Sequence, residues 1–256
     1  MKGMEIVRIK GPYNFEQVLD RMSLDPLNVV DMENKYVKVP LMIDDEPVVV
    51  EVKGTGTTDE PEFHLFNIDH DKRDKIIERL AFIFQWNVPL SSIHSHFEQT
   101  DLKPIFEQYR GMPLVLDFDP YRCLLKCIIH QQLNMAFAYT LSTRFAKQFG
   151  FEKEGVYFYP DPETVAALKV EDLRKLQFSN RKGEYVIGVA QAIVDGKLNL
   201  AELSHKSDEE IMKELTKLRG VGPWTVQNLL LFGFGRKNLF PMADIGLQNA
   251  LKELYD

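Results

Sequence analysis

The chain has 256 residues, of which 45% are hydrophobic and 27% charged. That suits one large globular domain or two modest ones and excludes wholesale disorder. No apolar run approaches the roughly 18 residues of a membrane span, so no membrane partner is expected. The opening MKGMEIVRIKG lacks the apolar centre of a signal peptide, which points to the cytoplasm. Two cysteines supply neither a disulfide framework nor the four thiolates of an iron–sulfur cluster. The net charge of −7 is unevenly spread. Residues 1–100 hold 11 Lys/Arg against 18 Asp/Glu, whereas residues 101–256 hold 20 of each, so the whole acidic excess lies in the first hundred residues.

In chain order, the first sixty residues read as strands. YVKVPLMI, PVVVEVKG and EFHLFNI are short, β-branched and bounded by turn residues, with IDDEP forming a hairpin turn. From Asp69 the period changes, and Ile76, Ile77, Leu80, Ile83 and Phe84 fall at helical spacing behind an acidic start. Beyond that point helices are predicted almost to the end, from PYRCLLKCIIHQQ and MAFAYTLSTRFAKQFG to WTVQNLLLFGFG and DIGLQNALKELY. The fold class is α+β: an antiparallel β domain with a closing helix over 1–100, then a larger all-α domain over 101–256. Cys123 and Cys127 share one helix face with Leu124 and Ile128, which reads as core packing rather than a metal or redox pair.

The informative stretch runs from Ser207 to the end. Ser207 caps a helix with Ile211, Leu215 and Leu218 on one face. Gly220-Val221-Gly222 breaks that helix, and Pro223 starts another that carries Trp224, Val226, Leu229 and Leu230. Two helices joined by a Gly-x-Gly turn present backbone N–H groups to an anion such as a phosphodiester. Between Lys213 and Asp244, five cations (Lys213, Lys217, Arg219, Arg236, Lys237) face Glu214 and Asp244, a local excess of three positive charges. Asp244 itself opens the last helix, where the helix dipole favours an ionised carboxylate.

LRGVGPWT, followed about twenty residues later by FPMADIGL, resembles the helix-hairpin-helix family of DNA glycosylases, and most nearly its 3-methyladenine DNA glycosylase II type. IIHQQLNMAFA, DPETVAAL and LQFSNRKGEYVIGVAQAI are similar to further segments of that family. The likeness covers residues 101–256, and residues 1–100 by architecture alone. It implies a helix-hairpin-helix domain with two lobes around a cleft, acting at the nucleoid on double-stranded DNA that contains a damaged base, as a monomer. The implied activity is monofunctional excision of alkylated purines, of the 3-methyladenine and 7-methylguanine class, by base flipping and hydrolysis of the N-glycosidic bond.

Residue by residue, the resemblance makes Asp244 catalytic and places Trp224 and Asn228 in the base pocket. Trp224 stands where the bifunctional members carry a Schiff-base lysine, which argues against an 8-oxoguanine glycosylase/lyase. Gly220, Val221, Gly222, Thr225 and Arg219 are expected on DNA, with Arg181 and Lys182 at a phosphate or on a solvated face. Gln131, Gln132 and Leu133 lie in the loop that fills the gap left by a flipped base, with Gln132 or Leu133 as the filler. No cofactor is implied beyond a structural Na+ or K+ held, with DNA bound, by the Thr216, Leu218 and Val221 carbonyls. The chain ends twelve residues after Asp244, where relatives continue. Leu247, Leu251 and Leu254 are therefore expected at the surface, and a non-catalytic DNA-binding protein is the alternative reading.

Overall fold

The computed structural model describes residues 2–255. Its N-terminal part is a five-stranded antiparallel sheet of β1 (Lys2–Arg8), β2 (Val29–Asp31), β3 (Tyr36–Ile43), β4 (Glu46–Gly54) and β5 (Glu62–Asp69), in the order β1-β5-β4-β3-β2. Asp44 and Asp45 both take left-handed φ (53° and 60°), as a two-residue hairpin turn requires, and Ile43 pairs with Glu46 across it. Val37, Val39, Leu41 and Ile43 of β3 are buried together with Val50 and Val52 of β4.

Two helices cover this sheet. α1 (Phe15–Ser23) is capped by the Asn14 side chain and buries Phe15, Val18, Leu19 and Met22. The expectation of strands throughout the first sixty residues is corrected here, since those four positions follow a helical period. α2 (Arg73–Ile83) is the expected closing helix, with Ile76, Leu80 and Ile83 buried. α3 (Leu90–Phe97) and α4 (Lys103–Gln108) follow, each without a buried residue. An open cleft of about 540 Å³ between β1 and α2, with Trp86 in its lining, contains none of the predicted site residues.

The helical part comprises α5 (Pro120–His130), α6 (Met135–Phe149), α7 (Pro162–Ala166), α8 (Val170–Lys175), α9 (Asn180–Val194), α10 (Leu200–Leu203), α11 (Asp208–Leu215), α12 (Pro223–Asn228) and α13 (Ile245–Tyr255). Its core gathers Leu124, Leu125, Ile128, Phe145, Val186, Ala190, Ile211, Leu215, Val226 and Leu229. Cys123 is buried in that core, in keeping with a packing role. After α12 the chain makes a π-helical turn over Leu229–Gly233, where a single continuous helix is expected from sequence. At Gly233 a Cβ would stand 2.6 Å from the end of the Leu229 side chain, so a larger residue there would make Leu229 shift.

The expected boundary at residue 100 moves. The first compact unit runs to Phe118 and also takes residues 152–158, and the second holds 119–151 and 159–256. β6 (Phe151–Lys153) and β7 (Val156–Phe158) form a small hairpin inside the predicted helical run, and Val156 and Phe158 pack with Val49. The two units are therefore comparable in size. Among the described residues, no helix is long and apolar enough to cross a membrane.

In the first unit Phe63 is a central aromatic, stacked on Trp86 at 4.8 Å and edge-on to Tyr13 and Phe15. Phe63→Ala should destabilise this unit by about 3–5 kcal/mol. Denaturant unfolding followed through Trp86 fluorescence would show it.

Candidate active site

α11 and α12 form the hairpin expected from LRGVGPWT. Ser207 accepts from the Glu210 N–H while the Glu210 carboxylate accepts from the Ser207 N–H, a reciprocal capping box. At the turn Gly220 takes φ +88°, and a Cβ there would stand 2.1 Å from the Tyr185 ring of α9. Gly222 differs: it has an ordinary φ of −100° as the N-cap of α12, and a Cβ would meet nothing within 4 Å. Gly220 is thus fixed by internal packing, whereas the face beside Gly222 is open. Val221 is buried in the helical core.

Asp244 is the N-cap of α13. Its Oδ1 accepts from the Leu247 N–H at 3.0 Å, and its Oδ2 accepts from Trp224 Nε1 at 2.9 Å. The indole hydrogen bond, helped by backbone N–H groups of Leu247 and Gly246 and opposed by partial burial, holds the Asp244 carboxyl below the ordinary aspartate range. Beside the place in the base pocket expected for Trp224, its indole N–H has a further use, aiming the carboxylate. Asn228, one turn on, turns its amide back to the Trp224 carbonyl at 2.9 Å. The sequence placed Trp224 and Asp244 twenty residues apart, and the fold joins them.

The loop after α5 forms a second cluster. Gln131 donates from Nε2 both to the Gly220 carbonyl and to Thr225 Oγ1, each at 2.8 Å. Thr225 is only 1% exposed, so the expectation of a DNA contact from its side chain is corrected: burial leaves its hydroxyl facing Gln131. Gln131 is likewise occupied as a tie to the hairpin. Gln132 is exposed with a left-handed φ of +56°, while Leu133 packs against the helical core. Lys182 is corrected as well. Its ammonium donates to the carbonyls of Ile128 (3.0 Å), Ile129 (2.7 Å) and Gln131 (3.1 Å), so it faces inward rather than toward phosphate or solvent. Burial pushes its pKa down to about 8, while the three carbonyls favour the charged form. Arg181 beside it lies exposed.

The basic patch is thinner than the residue count implies. Arg236 donates to the carbonyls of Ser204 and Lys206 at 2.8 Å each, tying down the end of α10. Arg219 pairs with Glu184 at 2.8 Å and lies over the Tyr185 ring. Lys213, Lys217 and Lys237 remain exposed. Glu184 and Tyr185 are thus parts of the hairpin site that motif reading missed; their place in the SNRKGEY segment, one turn after Lys182, was the available signal. On α13, Leu251 and Leu254 are exposed as expected, whereas Leu247 is half-buried under the Asp244 cap.

Residues 125–256 match the HhH-GPD superfamily, described as base excision DNA repair proteins. A Bacillus subtilis (strain 168) protein, YfjP, provisionally named a DNA-3-methyladenine glycosylase, is 53% identical over 249 residues, covering 97% of this chain and 86% of its own length. The structure of a 3-methyladenine DNA-glycosylase from Archaeoglobus fulgidus superposes with a TM-score of 0.86 at 24% identity, over 98% of this chain and 86% of that one. A Clostridium acetobutylicum 8-oxoguanine glycosylase/lyase in complex with double-stranded DNA superposes at 0.79 with 20% identity, over 100% and 86% of the two chains. These two structural likenesses speak for the fold.

Removing the indole donor while keeping an aromatic ring isolates the contact between the two site residues. In Trp224→Phe the Asp244 carboxyl should titrate at higher pH than in the wild type, because its main stabilising hydrogen bond is gone. Carboxyl carbon NMR through the acid range would measure this; an unmoved titration would mean that Trp224 does not govern the carboxylate.

Proposed function

The chain belongs to the HhH-GPD superfamily of base excision DNA repair proteins, and from that premise we propose that it is a monofunctional DNA glycosylase that excises alkylated purines from double-stranded DNA. The observation that carries this reading is the ionised Asp244 carboxylate, held by Trp224 Nε1 at 2.9 Å at the N-terminus of α13. The name of the 53% identical relative supports the substrate class.

A purine alkylated on its ring is cationic and leaves as a neutral base. The C1′–N bond breaks with its electron pair going to the base, and positive charge develops on the sugar. Asp244 stabilises that charge and orients a water, which adds at C1′ and gives up its proton to the Asp244 carboxylate, from which it passes to solvent. This chemistry needs neither redox exchange nor a Lewis acid, so no cofactor is assigned to it. Trp224 has no amine, which supports hydrolysis over Schiff-base chemistry at this position and disfavours the glycosylase/lyase alternative. Its ring edge is engaged by Asp244, which leaves its π-face to stack on an electron-poor flipped base, with Asn228 behind it.

The backbone of the Gly220–Gly222 turn and the first N–H groups of α12 receive a phosphate, with exposed Lys213 and Lys217 and the held Arg219 alongside. Gln132, exposed at the tip of its loop, fills the gap left by the flipped nucleotide, since Leu133 is engaged in the core. With DNA bound, a monovalent cation fits the carbonyls of Thr216, Leu218 and Val221. Thr216 caps the end of α11, where carbonyls lack helical partners, and Leu218 O accepts from Val221 N–H at 3.1 Å with a lone pair to spare.

Two substitutions test the reading. Asp244→Asn should slow single-turnover excision of 3-methyladenine or 7-methylguanine by about 10²-fold or more, with duplex binding kept. Equal rates for mutant and wild type would sink the catalytic assignment, and a wild type with no excision would favour the non-catalytic DNA-binding alternative. Gly222→Ala should leave thermal stability nearly unchanged, because the added methyl enters open space. It should weaken binding to damaged and undamaged duplexes alike, by about tenfold, the worth of one charge-assisted hydrogen bond to phosphate. A loss confined to damaged DNA would place Gly222 in the base pocket instead.

A further inference from the structure

α5 ends without the usual means of closing a helix. The residue after it, Gln131, leaves in an extended conformation (φ −48°, ψ 130°), so the bonds of a left-handed glycine cap are missing, although the His130 carbonyl accepts from the Leu133 N–H at 3.3 Å. Lys182, reaching over from the first turn of α9, takes their place with its bonds to Ile128, Ile129 and Gln131. A cation at a helix C-terminus also meets the negative end of the helix dipole.

The same contacts fix what comes next. Gln131 is held from both sides, its carbonyl by Lys182 and its side chain by the hairpin at Gly220 and Thr225. Gln132 follows in the left-handed region at φ +56°, in a turn closed by the Leu133 N–H on the His130 carbonyl at 3.3 Å. We propose that Lys182 is a positioning residue for DNA engagement: it anchors the α5–α6 loop to α9 while the Gln131 side chain ties that loop to the α11–α12 hairpin, so that the phosphate-binding turn and the exposed Gln132 meet the duplex as one rigid body. The inference rests on the proposed gap-filling role of Gln132. It assigns Lys182 no contact with DNA or with the reacting atoms.

The test uses two duplexes that differ only in one tetrahydrofuran abasic-site analogue, with binding read by fluorescence anisotropy and folding by thermal melts. Wild type should prefer the abasic duplex, and Gln132→Ala should remove much of that preference. Lys182→Met should lower the preference by about tenfold or more while changing affinity for the intact duplex less than about twofold, as expected for a misplaced rather than a missing contact. Lys182→Arg, which keeps a multiply donating cation, should retain most of the preference. Gln131→Ala, which cuts the tie at the hairpin side, should reproduce the Lys182→Met loss, and it decides the matter if Lys182→Met fails to fold.

The outcomes separate. A full preference in a folded Lys182→Met or in Gln131→Ala, with Gln132→Ala defective, overturns the positioning role and leaves gap filling intact. An equal loss on both duplexes, with a shallower salt dependence, would make Lys182 a phosphate contact and also overturn the proposal. A full preference in Gln132→Ala, or none in wild type, overturns the gap-filling reading and takes this inference with it.

Discussion

An indole N–H is a neutral donor, so it steadies a carboxylate without neutralising it, and the bond from Trp224 to Asp244 Oδ2 makes the site a single structure. A lysine or arginine at the same distance would also fix the carboxylate, but it would cancel the field that a developing sugar cation needs. The tryptophan supplies direction and a modest lowering of the pKa while leaving the net charge of the pair at −1. Its carbonyl is in turn held by the Asn228 amide, and Asn228 leads directly into the π-helical turn. The geometry at Asp244 therefore depends on the backbone path of α12 and its extension as well as on one rotamer.

The charge distribution follows a related logic. Near the hairpin the arginines are engaged with the protein: Arg236 with the Ser204 and Lys206 carbonyls, Arg219 with Glu184 and the Tyr185 face. Backbone N–H groups and exposed lysine heads are left to face an anion. A surface of that kind can take phosphate without demanding a sequence, which suits the proposed role of a glycosylase that inspects many sites. The charge of −7 gives no hint of this, because its excess lies wholly in the first hundred residues.

Much of this was legible because the chemistry involved is local. The β3–β4 hairpin announces itself through Asp44-Asp45 between alternating apolar runs, and the α11–α12 hairpin through Gly220-Val221-Gly222-Pro223. What escaped was decided by contacts distant in sequence. α1 hides behind a segment that mixes Phe, Val and Met with turn formers, and becomes a helix because the sheet offers Phe15, Val18 and Leu19 a surface to cover. The β6–β7 strands lie inside a helical run and pack with Val49, about a hundred residues earlier. Lys182 in a charged SNRKGEY string reads as solvated; nothing local reveals that an uncapped helix end lies within reach of its ammonium. Thr225 and Gln131 likewise changed from DNA contacts to internal partners once the loop and the hairpin were seen together.

The two oxygens of Asp244 have separate tasks, and this bears on what substitution there does. Oδ1 caps α13 through the Leu247 N–H and Oδ2 receives the Trp224 N–H, so both carboxylate oxygens act as acceptors. Asparagine is as good an N-cap as aspartate and would keep the first contact with its single oxygen. Its NH2 would then face the indole N–H, donor against donor, and Trp224 would have to move or lose its partner. If the amide flipped to satisfy Trp224, the Leu247 N–H would lose its cap, and α13, which has no buried residue, would lose a main tether. Either way Asp244→Asn removes more than a charge. The cap that orders the last helix and the acceptor that orients the tryptophan belong to one carboxylate, so the ionised form of Asp244 is a condition for assembling this site as well as for the proposed chemistry.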